Sequence, residues 1–251
     1  MSNSFVRRST RRIGLIVILL LGIVPFGILW SLFYQGERSY FIASLVIMTY
    51  TIIVFFSSFE RRKPQSREIV VISVLSALAV IGRMAFFMIP QFKPMVAIVI
   101  LSAVCLGGEM GFVVGAMSAF VSNFFFGQGS WTPWQMIAFG SIGYLAGILA
   151  ELGILKKTKI SLCIFGGFAT FFIYGGIMNP CSVIMFTQNP TKSAFIAAYI
   201  SGFWFDIIHS FATIVFLWIL TKPILEKLER VKNKYGLIQE ISRLEWEEEG
   251  D

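Results

Sequence analysis

Charged residues are scarce in this sequence. Only 14% of its 251 residues are Asp, Glu, Lys or Arg, whereas about 25% is usual for a soluble domain. Hydrophobic residues make up 56%, and the mean hydropathy is +0.77. A chain of this length has too little interior to bury so much apolar surface, so the surplus must face lipid. The composition therefore predicts an all-α integral membrane protein rather than a soluble enzyme.

Residues for metal, thiol or nucleophilic chemistry are also few. The three cysteines have no metal-site spacing, and the only histidine, His209, follows Asp206 by three residues. One His and one Asp on a helix face are a weak basis for a metal site, which usually has three or more ligands. No serine is suitably placed beside them, and there is no Walker-type phosphate loop. We therefore predict no catalytic residue, no metal and no cofactor; a membrane-embedded enzyme is the weaker alternative.

The basic residues lie mostly between apolar runs. The net charge of +7 could indicate a nucleic-acid partner, but basic clusters at helix ends are typical of the cytoplasmic side of a membrane protein. These clusters occupy residues 7–12, 61–67, 156–159 and 222–234. They predict a multi-pass protein of the cell membrane, with both termini in the cytoplasm and no nucleic-acid partner.

The sequence has eight apolar segments, six of which are long enough, or nearly so, to cross a bilayer, which takes about 17–25 helical residues. They lie at 13–33, 39–57, 69–89, 95–107, 109–126, 134–151, 160–178 and 193–220. The fourth segment is short and is separated from the fifth only by a glycine-rich turn. We interpret these two as short helices joined by that turn; a re-entrant segment is the alternative.

A highly charged segment, residues 58–68, divides the chain into regions of different character. We predict a two-helix transmembrane extension with a basic cytoplasmic linker at 1–68, a six-helix core at 69–221 and a charged cytoplasmic tail at 222–251. The core contains nearly all the polar residues at membrane depth. It is therefore predicted to carry the function.

Residues 122–136 are unlike an ordinary connection, because they combine aromatic rings with amide side chains around two glycines. A binding site for an organic molecule is mostly apolar with a few placed polar groups, and this composition matches that description. An interfacial aromatic belt is the alternative, although it would need no amides. The candidate ligand contacts here are Asn123, Phe126, Gln128, Trp131, Trp134 and Gln135.

Two further segments on the same predicted side could complete the site. Arg83 lies well inside a predicted helix, where an ionisable residue is a candidate for function or for a structural salt bridge. Asp206 could pair with Arg83 or contact the ligand. The candidate contacts added by these segments and by Asp206 are Arg83, Phe87, Lys93, Tyr174, Asn179 and Asp206. His209 is interpreted as a hydrogen-bonded packing residue.

Small residues recur every four positions on three helices, which allows close helix approach in lipid. The longest series is Gly107, Gly111, Gly115 and Ala119; shorter ones are Gly143 with Gly147, and Ser73 with Ala77. Internal packing is the favoured interpretation, and a docking surface for a partner membrane protein is the alternative.

Residues 69–221 resemble the substrate-binding S component of energy-coupling factor (ECF) vitamin transporters. The resemblance rests on six short helices with both ends cytoplasmic, residues 83–94, the turn LGGEMGF at 106–112, and the segment 122–136. The stretch GQGSWTPWQ at 127–135 resembles a subgroup that includes predicted cobalamin-type members.

The resemblance implies a specific function. An S component binds a vitamin from outside, in a pocket capped by the loops between core helices 1 and 2, 3 and 4, and 5 and 6. It delivers the vitamin together with a transmembrane coupling subunit and two cytoplasmic ATPases. Its docking face carries small residues four positions apart on the first core helix, for which Ser73 and Ala77 are the nearest match here. A self-contained secondary transporter or channel for a small organic solute is the alternative function.

Overall fold

The computed structural model describes residues 66–187 and 191–235, together with the single residue Thr49. This part of the chain contains helices and short connections, and five of the helical segments are long and apolar enough to cross a membrane. An all-helical membrane architecture is therefore confirmed for the described residues. The predicted spans at 13–33 and 39–57 lie outside them, apart from Thr49.

The described helices form six rods. The first four helices are α1 (Ser66–Ala85), α2 (Met95–Leu106), α3 (Gly108–Phe126) and α4 (Thr132–Glu151). Helix α5 (Lys159–Ala169) continues through a π-helical turn (Thr170–Tyr174) into α6 (Gly175–Phe186), and α7 (Lys192–Tyr235) is the last. We call the end with connections 86–94 and 127–131, the end of α6 and the start of α7 the mouth end. The tail end is the opposite one, with connection 152–158 and the last turns of α7.

Helix α2 lies at the centre of the bundle. All of its 12 residues are buried, and it contacts α1, α3, α4, α5 and α7. At 1.5 Å per residue it is about 18 Å long, which is less than the roughly 30 Å of a hydrocarbon core. Gly107, with φ of 95°, ends α2 and leads directly into α3. The favoured interpretation of two helices joined by a tight turn is therefore confirmed.

Helices α3 and α4 approach each other through their glycines. A Cβ added at Gly111 would lie 2.7 Å from the carbonyl oxygen of Gly143, and one added at Gly115 would lie 2.5 Å from that of Phe139. Gly147 packs in the same way against Gly108. Side chains have no room at these points, so internal packing of this glycine series is confirmed.

The rod formed by α5 and α6 runs on to Phe186, beyond the predicted end at 178, although Pro180 interrupts its hydrogen bonding. A proline has no N–H to donate to the carbonyl four residues earlier, which here belongs to Gly176. The hydroxyl of Tyr199 on α7 donates to that carbonyl oxygen instead, at 3.2 Å. The neighbouring helix thus compensates for the proline, which explains why the helix does not stop there.

Helix α7 has 44 residues and extends about 66 Å, far more than a bilayer core requires. It continues through Pro223 into the predicted tail. There Leu225 and Leu228 are buried against the bundle. Lys232 donates a hydrogen bond to the carbonyl of Cys105, at 3.3 Å, at the end of α2. The extension therefore covers the tail end of the short central helix.

Candidate ligand-binding site

Arg83, in the last turn of α1, points to α3 rather than to lipid. Its guanidinium donates hydrogen bonds to the hydroxyl of Ser122 and, at 2.9 Å, to Oδ1 of Asn123. The same guanidinium lies over the ring of Phe126, 4.3 Å from its centroid. Three neutral groups of α3 thus hold one positive charge at the mouth end.

Asn123 connects this charge to helix α4. It is 1% exposed, and its Nδ2 donates to Thr132 Oγ1 at 2.9 Å and to Gln135 Oε1 at 2.8 Å. Thr132 donates in turn to Gln128 Oε1, also at 2.9 Å. The candidate residues Arg83, Asn123, Gln128 and Gln135 therefore belong to one continuous hydrogen-bond network across the mouth end.

Aromatic and basic side chains of the 86–94 connection adjoin this network. The rings of Phe87 and Phe126 are 5.4 Å apart. Lys93 Nζ lies 5.9 Å from the Phe126 centroid and donates to the carbonyl of Ile89 at 3.0 Å. The fold thus brings Phe87, Lys93 and Phe126 together.

Deeper in the bundle, three aromatic rings form a compact group. The Tyr174 ring lies 4.8 Å from Phe139 and 4.6 Å from His209, where it meets the imidazole edge to face. The side chain of Gln135, a member of the polar network, lies near the Tyr174 hydroxyl, so the two groups adjoin each other. The π-helical turn that ends at Tyr174 is a feature often found at functional sites.

Two buried ring nitrogens in this region have no hydrogen-bond partner among the described residues. They are Nδ1 of His209, a residue that is 4% exposed, and Nε1 of Trp134, a residue that is fully buried. A buried polar group without a partner is unfavourable, so such groups indicate a ligand or an ordered water. The interpretation of His209 as a hydrogen-bonded packing residue is not supported at this nitrogen.

Trp131 lies at the edge of the mouth end. Its ring is 6.5 Å from that of Phe186 on α6, and its six-membered ring packs directly on Gly129, where a Cβ would collide with it. The indole therefore has a fixed position between connection 127–131 and the end of α6.

Asp206 and Asn179 form a separate pair between α6 and α7. Asn179 Nδ2 donates to Asp206 Oδ2 at 2.7 Å, and the carboxylate packs over Gly175. In the described part of the chain, the contacts of Arg83 are with α3 and none is an ion pair with Asp206. The pairing of Arg83 with Asp206 that the sequence left open is therefore absent from this structure.

The two residues predicted to dock a partner lie elsewhere. Ser73 and Ala77 are both exposed on α1, on a face shared with Val70 and Val74, which are 61% and 60% exposed. Within the described residues this small-residue pair is not used for internal packing, in contrast to the glycines of α3 and α4.

Three residues of the candidate site, Ser122, Thr132 and Phe139, were not selected from the sequence, and His209 was interpreted only as a packing residue. Ser122 and Thr132 lie in the segment already selected, but their small side chains gave no separate signal. Phe139 and His209 come from the middle of apolar helices, where packing is the usual explanation of an aromatic residue. Only the three-dimensional arrangement brings them to Tyr174.

The fold and site together define a class: a multi-pass membrane protein with a polar and aromatic site at one end of its bundle. Residues 63–228 match the model of the family described as the ECF-type riboflavin transporter S component. The match covers well over half of the chain, which therefore belongs to that family. Neither the comparison with curated proteins nor that with solved structures gives a match.

Membership has direct consequences for the earlier predictions. An S component is the binding subunit of a transporter and not an enzyme, so the prediction of a non-enzymatic ECF component is confirmed. The matched family is of the riboflavin type, which leaves the expected cobalamin subgroup without support.

Proposed function

We propose that this protein binds riboflavin at the mouth end of the bundle and delivers it as part of an ECF importer. The observation that carries the proposal is the hydrogen-bond network from Arg83 through Asn123 to Gln135, together with the group of rings around Tyr174 deeper in the same bundle. The flavin ring system has an apolar edge and a pyrimidine edge with donors and acceptors. An amide network beside aromatic rings complements both edges.

The unpartnered nitrogens support the same location. His209 Nδ1 and Trp134 Nε1 are buried near Tyr174, and neither has a partner among the described residues. A ligand with carbonyl and ring-nitrogen acceptors would supply what the indole N–H lacks. The chain therefore contains hydrogen-bonding capacity that a bound flavin would use.

The mouth end faces outward in this proposal, and both termini are cytoplasmic. The support is the charge distribution: Lys156, Lys157, Lys159 and the basic residues of the α7 extension all lie at the tail end. A concentration of Lys and Arg marks the cytoplasmic side. Riboflavin would then enter from outside, next to connections 86–94 and 127–131.

Energy for transport would come from partner subunits. The sequence has no Walker-type phosphate loop, so ATP hydrolysis by that route belongs to other chains. A coupling subunit and two ATPases, as the resemblance implies, would favour a second state of the complex with weaker affinity for riboflavin. A ligand can be released in this way only if its affinity differs between the two states.

Thermal unfolding of the detergent-purified protein tests the binding step. Riboflavin at 100 times its dissociation constant should stabilise the folded state by about 2.7 kcal/mol, whereas cobalamin, thiamine and biotin should not. Quenching of flavin fluorescence on titration gives the affinity directly. A folded protein that is not stabilised by riboflavin would contradict the proposal.

Reconstitution then tests the role in transport. Vesicles with this chain alone should bind but not accumulate riboflavin, and vesicles with the ECF partners and ATP should accumulate it. Accumulation by the chain alone would instead support a self-contained transporter.

A further inference from the structure

A cavity of about 350 Å³ lies at the tail end of the bundle, where connection 152–158 and the start of α5 meet the last part of α7. Sites for small molecules commonly have volumes of about 300–1,000 Å³, so this cavity is large enough to hold a ligand. The charged residues that line it are Lys157, Lys159, Lys222, Glu226 and Glu229. None of these residues belongs to the candidate site at the mouth end.

The charges around the cavity do not balance. Three lysines and two glutamates leave its lining with a formal charge of +1. Lys157 and Glu229 neutralise each other, because Nζ and Oε1 form an ion pair at 3.1 Å. Among the described residues, Lys159 and Lys222 have no acidic partner, and Glu226 has no basic one. The lining therefore offers two free cations to an anionic group and one free carboxylate to a hydrogen-bond donor.

The cavity adjoins a surface that is suited to lipid. Lys159 Nζ lies 5.3 Å from the centroid of the Trp218 ring, and Trp218 is exposed on α7. Tryptophan is enriched at the boundary between hydrocarbon and water. Ile160 and Ile219, which lie slightly further towards the mouth end on α5 and α7, are exposed as well. A ligand here would therefore have its polar group in the cavity and its apolar part on the surface of the bundle.

We propose that this cavity binds the headgroup of an anionic phospholipid, with Lys159 and Lys222 donating hydrogen bonds to the phosphate diester. A phosphate diester has a single negative charge, which compensates the positive excess of the lining. Basic pockets between transmembrane helices on the cytoplasmic side are a known type of headgroup site. Headgroup hydroxyls, as in phosphatidylglycerol, would donate to Glu226, and the acyl chains would lie against the exposed isoleucines.

The same chemistry disfavours other ligands. Inorganic phosphate has no apolar part to place on Ile160 and Ile219. Phosphatidylcholine has no net charge, and its choline group has no N–H or O–H to donate to Glu226. The site would lie in the leaflet that the proposed orientation makes cytoplasmic, where anionic lipids attract basic residues. The inference itself does not require riboflavin binding.

Thermal unfolding of the delipidated protein in detergent tests the site. The readout is the rise in melting temperature as the mole fraction of added phosphatidylglycerol increases, which gives an apparent dissociation constant. Phosphatidylcholine and inorganic phosphate are the reference ligands. Phosphatidylglycerol should stabilise the protein at a mole fraction at which phosphatidylcholine does not, and inorganic phosphate should give no comparable rise.

Variants of the two unpaired lysines assign the binding to the cavity. Lys159→Gln and Lys222→Gln should each raise the dissociation constant for phosphatidylglycerol about fivefold, as expected for one lysine beside an anionic lipid. Lys222→Arg retains the charge and should retain the affinity. Lys227→Gln is the matched control, because Lys227 is an exposed lysine of α7 outside the cavity lining, about 140° around the helix from Lys222. It should leave the dissociation constant unchanged.

Three results would each overturn the proposal. Equal stabilisation by phosphatidylcholine would show that the headgroup charge is not recognised, and an equal rise with inorganic phosphate would identify a site for a soluble anion. An equal effect of Lys227→Gln would show that the general charge of the tail end, rather than the cavity, attracts the lipid. Each of these results is obtained without riboflavin, so failure of the proposed function would leave this test intact.

Discussion

Asn123 joins the charged and aromatic halves of the candidate site, because it bonds to Arg83, Thr132 and Gln135 at once. An amide can do this since it offers both an acceptor and two donors. Asn123 is 1% exposed and its partner Thr132 is 4% exposed, so removal of the amide would leave at least one buried partner away from bulk water.

Substitution of Asn123 by Ala should therefore weaken riboflavin binding and lower thermal stability together. Each buried polar group left without a partner costs about 1–3 kcal/mol, so we expect at least a tenfold loss of affinity, about 1.4 kcal/mol. Fluorescence titration and thermal unfolding in detergent measure the two effects. Ser130→Ala, at an exposed residue of the neighbouring connection, is the control; wild-type affinity in Asn123→Ala would exclude the residue from the site.

Gly129 fixes the position of Trp131, because a side chain at 129 would occupy the space of the indole ring. Gly129→Ala should therefore displace Trp131 and reduce riboflavin affinity to a similar extent as Trp131→Ala. Gly127→Ala is an informative comparison: nothing lies near its Cβ, but its φ of 97° strains the backbone instead. If Gly129→Ala bound riboflavin normally while Trp131→Ala did not, the packing of the indole on Gly129 would not matter for binding.

The sequence predicted which residues belong to the candidate site better than it predicted which of them are hydrogen-bonded to each other. Arg83 was a candidate because an ionisable residue at membrane depth is unfavourable without a role, and Asn123 was one because residues 122–136 combine amide side chains with aromatic rings. Their mutual hydrogen bond was not predictable, since it depends on how α1 and α3 cross. The same applies to Asp206, whose partner is Asn179 on α6 and not Arg83.

Among the elements, the pairing of α3 and α4 depends most directly on single residues. Gly143 of α4 contacts the backbone of Gly111 so closely that even a methyl group would collide with it. Overpacking of a tight contact typically costs about 1–3 kcal/mol.

Gly143→Ala should therefore lower the melting temperature, whereas Gly176→Ala should not, because nothing lies within 4 Å of a Cβ at Gly176. Both glycines are helical, so the gain in helix propensity is similar and only the packing differs. Unfolding followed by circular dichroism in detergent gives the comparison. Equal stability of the two variants would show that α3 and α4 can separate without loss.

The ends of helices were predictable where the amino-acid composition changes along the chain. The turn between α2 and α3 was placed correctly, because glycines interrupt the apolar sequence at Gly107. The end of the segment predicted at 160–178 was placed too early, since α6 continues through Pro180, a residue type that normally interrupts a helix. The hydroxyl of Tyr199, on another helix, makes the continuation possible, and a local pattern contains no such information.

For the whole molecule, two different surfaces serve two different partners in the proposed function. The mouth end would bind the flavin, and the exposed face of α1 with Ser73 and Ala77 would dock the coupling subunit. Composition predicted the membrane environment, and charge placement supports the proposed orientation. The separation of the two surfaces emerges only from the fold, since Ala77 and Arg83 lie on the same helix.

This separation predicts that docking and ligand binding can be uncoupled by one substitution. Ala77→Trp would place a large ring among small and aliphatic side chains of the exposed α1 face, where close helix approach requires small residues. The coupling subunit should then fail to co-purify, while riboflavin affinity is retained. Ile164→Trp, at a 57% exposed position of α5, adds the same ring to a different helix and should leave the complex intact. Normal co-purification of Ala77→Trp would move the docking surface to another face of the bundle, and loss of riboflavin binding in this variant would show that the two surfaces are coupled through α1.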